Sequence, residues 1–265
     1  MSGLIARPVR RVRRLAAAVA DAAGRLPDRR DPKTGLVLPP EELRAGGHHF
    51  RRDRDFIRSA RREAELLVRG AGMRGGGRVL DVGCGAGRLA YGLVSRLGDA
   101  IAYDGVDVME APIAWCREAI SATHPAYRFT RLDVRNERYN PSGAEDATAA
   151  RLPFGASAFD VVYAYSVLSH MRGHDVEAYL REFTRLVAPG GRAVVTAFVE
   201  EDVEDEAVNP PGYGPLAWSG DLHCVRFSRA WFETAVRGAG LEVLRFDHGR
   251  ATDGQSRLIL GRAAG

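Results

Sequence analysis

The stretch Arg78–Leu89, RVLDVGCGAGRL, sets Gly83, Gly85 and Gly87 at alternate positions between a short apolar run and a set of helix formers. Glycine has no Cβ and tolerates positive φ, so such a loop lets the backbone pass close beneath a ligand. Glycine loops of this kind cradle nucleotides, and the spacing excludes two sorts. A dinucleotide fingerprint, GxGxxG, would need glycine at position 88, where the chain has Arg88. A phosphate-binding P-loop would need a Lys-Ser/Thr pair after the glycines, and none follows. Asp107 ends the next apolar run, YDGVDV, twenty residues beyond Gly87. A carboxylate at that place can accept hydrogen bonds from both hydroxyls of a ribose.

Other side chains could work on a proton. Tyr165, Ser166 and His170 follow the apolar run FDVVYAYSVL. An imidazole titrates near neutrality, which makes His170 the candidate base. His48 and His49, with Phe50, precede the first helix of the main domain and could fold over a pocket to meet a substrate; His223 is a further candidate in a late loop. Cys84, Cys116 and Cys224 are odd in number and widely spaced, without a CxxC pair. That argues against a disulfide framework or a zinc site and for a reducing, cytoplasmic setting, with no metal expected.

The elements that must position these residues alternate. RVLDV, IAYDGVDV, YRFTRLDV, FDVVYAYSVL and RAVVTAFV read as strands, separated by GRLAYGLVSRL, EAPIAWCREAISATH and DVEAYLREFTRLV as helices. Such alternation predicts a doubly wound α/β fold with a mostly parallel sheet. Asp53 or Asp55 can cap a helix through FIRSARREAELLVRG. Residues 200–225 are acidic, then Pro- and Gly-rich, and lack a period, which suits a lid or binding loop. After the helix SRAWFETAVRGAG, LEVLRFDH and SRLILGR can pair as an antiparallel end to the sheet. The expected organisation is an N-terminal segment, 1–50, and one domain, 51–265, with the lid-like insertion at 200–225.

The N-terminal 30 residues repeat apolar side chains at helical spacing (Ile5, Val9, Val12, Leu15, Val19) with arginines opposite. Asp21 interrupts the apolar run, against a secretory signal. The helix could pack on the domain, on a second copy in a homo-oligomer, or on an anionic membrane surface through residues 1–30. The chain has 38 Lys+Arg against 34 Asp+Glu and a net charge of +4. Lys33 is its single lysine, so the basicity reflects an arginine-for-lysine habit and is little argument for a nucleic-acid partner.

Asp81-Val82-Gly83-Cys84-Gly85-Ala86-Gly87 resembles the first motif of the class I S-adenosylmethionine-dependent methyltransferases, and the resemblance extends over roughly residues 75–200. It implies a Rossmann-like, seven-stranded sheet with an antiparallel C-terminal strand, and S-adenosyl-L-methionine as cofactor. In that family the glycines pass beneath the methionyl part of the cofactor. Asp81 would help to hold its amino group through water or the loop backbone, and Gly83, Cys84, Gly85 and Gly87 would form the cradle. Asp107, with Val108 beside it, would take the ribose. Asp133 stands where the family often places an adenine-contacting acid, with backbone near Ala149 and Ala150 as the alternative. Tyr165 and Ser166 would border the cofactor.

Members that methylate the exocyclic amines of bases carry an Asn/Asp-Pro-Pro-aromatic motif directly after strand four. Tyr165-Ser166-Val167-Leu168 stands there instead, and Asn209-Pro210-Pro211-Gly212-Tyr213 reads as a rigid loop. The sequence therefore favours O-methylation of a small molecule: a sugar, phenolic or secondary-metabolite hydroxyl. Three other readings stay open: an RNA or protein methyltransferase, a membrane-associated enzyme with a lipid-linked substrate, and a fold that binds the cofactor without transferring methyl.

Overall fold

Five runs become parallel strands: the inner ones are apolar enough to be buried on both faces, as parallel sheets require, and YRFTR, with polar residues on one face, takes the edge. In the computed structural model, which describes residues 29–44, 50–148 and 151–263, these are β1 (Arg78–Val82), β2 (Ala102–Asp107), β3 (Tyr127–Arg131), β4 (Phe159–Ala164) and β5 (Val187–Glu200). They lie in the order β3-β2-β1-β4-β5, every pair parallel. The expected helix within residues 1–28 lies outside the described residues, as do His48, His49, Ala149 and Ala150.

The C-terminal hairpin forms as the sequence suggests. β8 (Leu241–Asp247) and β9 (Ser256–Arg262) pair antiparallel, and β9 runs antiparallel along Ala193–Ala197 of β5. That completes the seven expected strands, but the sheet has nine. β5 outruns β9 by three residues, and Phe198–Glu200 would otherwise present an open edge. β7 (Val225–Ser228) covers it in parallel, and β6 (Glu206–Val208) adds antiparallel to β7. Both ends of the segment expected to be irregular are thus drawn into the sheet.

Period-two alternation sends each strand's side chains to two cores. Val79, Tyr103, Val161, Tyr163 and Val194 meet α1 (Asp53–Gly70), α2 (Arg88–Leu97) and α3 (Glu110–Cys116), which continues as a π turn over Arg117–Ser121. Leu80, Val82, Val162, Ala164 and Val195 meet α4 (Gly173–Leu186) and α5 (Arg229–Gly238). Ser228 caps α5, its hydroxyl accepting from the Trp231 N–H at 3.1 Å. Neither Asp53 nor Asp55 caps α1: the N-cap is Arg52, without a side-chain bond. Asp53 is instead the first helical residue, fully buried, and its carboxylate accepts from Arg44 Nη2 at 2.6 Å. Arg44 also donates to the carbonyls of Pro39 and Arg51, so one guanidinium fastens the 29–44 segment to the start of α1.

Between the layers, Glu63 of α1, Tyr163 of β4 and Arg257 of β9 form a buried set. Tyr163 Oη donates to Glu63 at 3.1 Å and Arg257 Nη2 donates to it at 3.1 Å. A buried pair of this kind is weak evidence for net stability, yet removing one partner strands the other charge. It holds α1 over the carboxyl ends of β4 and β9's partner strand, where the site lies.

α1 and α2 cross at Gly92. A Cβ there would lie 2.0 Å from the Ala60 carbonyl oxygen, so the two backbones approach more closely than any side chain permits. Gly92→Ala is expected to lower unfolding stability by about 1–3 kcal/mol through overpacking, against the small gain alanine normally brings to a helix. Urea denaturation checks this; unchanged or raised stability would mean that the helices are free to separate.

Candidate functional site

The strand order reverses at β1, which has β2 on one side and β4 on the other. At such a point the chain leaves neighbouring strands in opposite directions, and a crevice opens beyond their carboxyl ends. Here it is a cleft of about 1260 Å³, part of it open solvent, walled by the glycine loop after β1, the ends of β2 and β4, and residues 132–139.

The glycine loop needs its glycines for different reasons. Gly83, Gly85 and Gly87 have φ of 71°, 50° and 78°, all in the left-handed region. A Cβ on Gly83 would lie 2.4 Å from Val167 Cγ2, so the loop after β4 closes directly on it. A Cβ on Gly85 would meet nothing within 4 Å: this is the bare surface that faces the cleft. Asp107 fixes the loop's shape. Its Oδ2 accepts from the Gly85 N–H at 2.8 Å and its Oδ1 accepts from the Met109 N–H at 2.9 Å. Burial raises its pKa, opposed by these backbone donors. Each oxygen keeps a lone pair, and the carboxylate lines the cleft.

Asp81 lies on the cleft floor, 3% exposed, accepting from Tyr103 Oη at 2.5 Å. Burial pushes its pKa up to about 7, with the Tyr103 hydrogen bond and then the nearby Arg88 guanidinium pulling the other way.

The opposite wall holds His170. Its Nδ1 lies 2.8 Å from the Leu222 carbonyl oxygen, which can only accept, so Nδ1 carries the hydrogen and Nε2 is bare. Burial pushes its pKa down to about 4, so the ring is neutral at neutral pH and, until a partner stabilises its charged form, a weaker base than a free imidazole. Ser166, with φ of 57°, stands beside Nε2 at 3.5 Å. Its own environment is directional. The Ser166 N–H donates to Thr196 Oγ1 at 2.7 Å, so the Thr196 hydroxyl donates to Gln255 Oε1 at 2.7 Å. Gln255 Nε2 then donates to Ser166 Oγ at 2.8 Å, and the Ser166 hydrogen is left for His170 Nε2 or for Ser169 Oγ at 3.3 Å. Tyr139 packs edge-on against the imidazole, centroids 5.4 Å apart, and Asn136 Nδ2 donates to the His170 carbonyl at 3.2 Å.

A family model described as a methyltransferase domain matches residues 80–195, the span holding both halves of this cleft. The chain carries a class I S-adenosylmethionine-dependent methyltransferase domain. Among curated relatives it is 28% identical over 193 residues to the methyltransferase GfsG of Streptomyces halstedii, covering 69% of this chain and 59% of that one. It is 33% identical over 144 residues to a ubiquinone biosynthesis O-methyltransferase of Bradyrhizobium diazoefficiens, covering 53% and 48%. The chain spans about half the length of the curated relatives it matches. Its fold is similar to that of the [4+2]-cyclase SpnF, with a TM-score of 0.57, 20% identity and coverage of 95% and 93%.

The methyltransferase domain takes S-adenosyl-L-methionine as its cofactor, and the residues present fit it. The uncovered face of Gly85 leaves room for the methionyl part, and the spare lone pairs of Asp107 suit a diol. Gly83, Cys84, Gly85, Asp107, Val108, Tyr165, Ser166, His170 and Phe50 all come to the cleft. Gly87 lies behind it as the N-cap of α2, its α-carbon closed in by Ile120 and Cys116. Asp133 does not come to the cleft. β3 ends at Arg131, Leu132 and Val134 turn inward, and the Asp133 side chain, half exposed, pairs with Arg131 at 3.2 Å. His223 stands outside the lining: its Nδ1 accepts from the Ser219 N–H at 3.0 Å and its ring meets Trp218. Sequence reasoning missed Asn136 and Tyr139, whose signal was the stretch that departs from the family pattern, and Arg88, whose signal was the failed third glycine. Thr196 and Gln255 left no signal.

An ammonium group beside Asp81 favours its carboxylate, so binding the cofactor drives off a proton wherever Asp81 is protonated beforehand. Affinity for S-adenosylhomocysteine is therefore expected to level off above about pH 7.5 and to be about tenfold weaker near pH 6. Asp81→Asn should flatten that profile. Calorimetry across this range is the check, and a wild-type profile flat through neutrality would separate Asp81 from the ammonium.

Proposed function

We propose that this protein transfers the methyl group of S-adenosylmethionine to a hydroxyl of a small organic molecule, of the sugar, phenolic or secondary-metabolite class. The observation that carries the choice of oxygen is His170: a neutral imidazole whose bare Nε2 faces the same cleft as the glycine loop. A hydroxyl is a weak nucleophile until its proton has somewhere to go, and an amine attacks through its own lone pair. The similarity to a ubiquinone biosynthesis O-methyltransferase is in keeping with this reading.

The cofactor, when bound, supplies an activated methyl on a sulfonium. The chain's own work is then positioning and proton removal. Asp107 and the Gly85 backbone set one reactant's place. The substrate hydroxyl is placed on the cleft side of Nε2, where it takes the place of the Ser166 hydrogen, and Nε2 accepts its proton as the oxygen attacks. The Leu222 carbonyl, held on the Nδ1–H, stabilises the imidazolium that results. Tyr139, Met171 and Val134 make the substrate wall apolar, which excludes water and suits a flat or aliphatic skeleton. Substrate choice is assigned to the segments that bring Arg44 and Phe50 to the cleft and Leu222 against His170, outside the matched span.

The test is a methyl-transfer screen over hydroxylated small molecules, with product mass read directly. Asp107→Ala is expected to abolish calorimetric cofactor binding. His170→Gln should bind cofactor normally and lose about 10²–10⁴ in kcat. Unimpaired turnover by His170→Gln removes the base and with it the case for oxygen. Substrate consumed without gain of a methyl group would place the chain among non-methylating catalysts of this fold.

A further inference from the structure

Four arginines have an Nε that is buried without a partner among the described residues: Arg61, Arg138, Arg226 and Arg257. Three of them keep a carboxylate elsewhere on the guanidinium: Arg61 has Asp31, Arg226 has Glu204 and Arg257 has Glu63. Arg138 has none among the described residues. Its half-buried side chain makes one hydrogen bond there, from Nη1 to the Asp221 carbonyl at 3.4 Å, which is long. The guanidinium carbon lies 5.6 Å from the centroid of the Tyr139 ring. A Cβ on Gly220 would lie 3.8 Å from Nη1, so the loop before His223 passes close beside the charge.

This cation belongs to the His170 side of the cleft. The Tyr139 ring that it contacts is the one packed against His170. Arg138 and His170 also hold successive carbonyls of one loop, Asp221 and Leu222. After burial, the Arg138 charge is the chief influence holding the His170 pKa down, and it acts on His223 in the same sense. With Nδ1 accepting from the Ser219 N–H, the neutral His223 ring carries its hydrogen on Nε2 and is a second donor beside Arg138. A guanidinium fork matches a carboxylate or a phosphate. Left without an anion next to a base that must take up a proton, it works against the imidazolium; paired, it does not.

We propose that the methyl acceptor carries an anionic group, a carboxylate or a phosphate, near the hydroxyl it presents to His170, and that Arg138 binds this group. This rests on the proposed function, which puts the acceptor against Tyr139 and His170. An acceptor laid along the Tyr139 ring comes to the imidazole and the guanidinium together, since both contact that ring. Its anion neutralises the charge that opposes an imidazolium at His170. The correct acceptor thus strengthens its own base, and a neutral analogue of the same shape leaves the base weak. Arg138 is in this way a specificity residue, and its place outside the glycine loop keeps it apart from the cofactor's own contacts.

The experiment compares three probes by calorimetry on the full chain at low ionic strength, with and without S-adenosylhomocysteine: 4-hydroxybenzoate, 4-hydroxyphenyl phosphate and the neutral 4-hydroxybenzamide. Wild type is expected to bind one or both anions about tenfold more tightly than the amide, and the anion that gains more identifies the group. Arg138→Gln should bring all three probes within about twofold of one another while S-adenosylhomocysteine binds as before, and Arg138→Lys should keep part of the preference. No detectable binding of either anion, or a wild-type preference below about twofold, overturns the proposal. A preference that survives Arg138→Gln overturns it as well, and so does a loss of S-adenosylhomocysteine affinity in parallel with the probes, which would make the residue structural. Unimpaired turnover by His170→Gln would remove the base and leave the anion site standing. Should S-adenosylhomocysteine fail to bind wild type, the cofactor reading falls, and the probe comparison made without it still decides the anion site.

Discussion

The site depends on two backbone hydrogen bonds into one buried carboxylate. Asp107 reaches from the end of β2 to the Gly85 N–H and to the Met109 N–H. Three left-handed glycines at alternate positions have no side chains to define their course, and glycine loses more conformational freedom on ordering than any other residue. A charged acceptor inside a cleft supplies what the loop lacks, because hydrogen bonds to an ionised group in a partly desolvated place are stronger than neutral ones. The same carboxylate that offers its remaining lone pairs to a ligand thus holds the ligand's cradle open. Neither role can be altered without the other.

Around that tie the cleft separates charge from neutrality. At one end stand Asp81, its pKa raised toward neutrality by burial, and the Arg88 guanidinium over the rings of Phe50 and Tyr165. At the other, burial keeps His170 uncharged, and the carbonyl of Leu222 decides which nitrogen is bare. Burial thus acts in opposite senses on an acid and a base, favouring the neutral form of each. A carboxylate near pH 7 responds to an incoming ammonium, and a neutral imidazole responds to an incoming hydroxyl. The polar residues of the second wall are held from behind: the run Thr196, Gln255, Ser166 fixes the direction of each hydrogen and leaves the last one beside Nε2.

Much of this was legible in the sequence, and the reason differs from residue to residue. Asp107 could be found because a strand end is a place of fixed geometry and the interval from the glycines is set by one helix. His170 could be found because it follows the strand next to β1. Asp133 failed because the same logic assumed that β3 runs on to Val134. Pairing with β2 ends at Arg131, the chain bridges to Glu145, and the side-chain alternation that would have turned Asp133 inward is lost. Gln255 and Thr196 were invisible because they meet only through the antiparallel register of β5 and β9, which composition does not reveal. The seven-strand expectation fell short for an energetic reason: a strand longer than its partner leaves an edge, and residues 206–208 and 225–228 cover it.

The stretch 135–146 shows how a departure from a family pattern is put to use. Its backbone is closed by its own bonds: Asn136 and Asn140 exchange main-chain hydrogen bonds at 3.0 and 2.9 Å, and Asn140 Nδ2 donates to the Val134 carbonyl. Asn136 Oδ1 accepts from the N–H groups of Arg138 and Tyr139, which turns the Tyr139 ring toward His170. Gly143 admits no Cβ, since one would lie 2.5 Å from the Arg135 nitrogen. A loop so thoroughly tied to itself is a wall rather than a linker. It adds its surface opposite the cofactor cradle and beside the base, so it alters what can lie against the imidazole while leaving Asp107 and Gly85 untouched. The wall and the glycine loop are thereby separate pieces of backbone, and a change in one need not disturb the other.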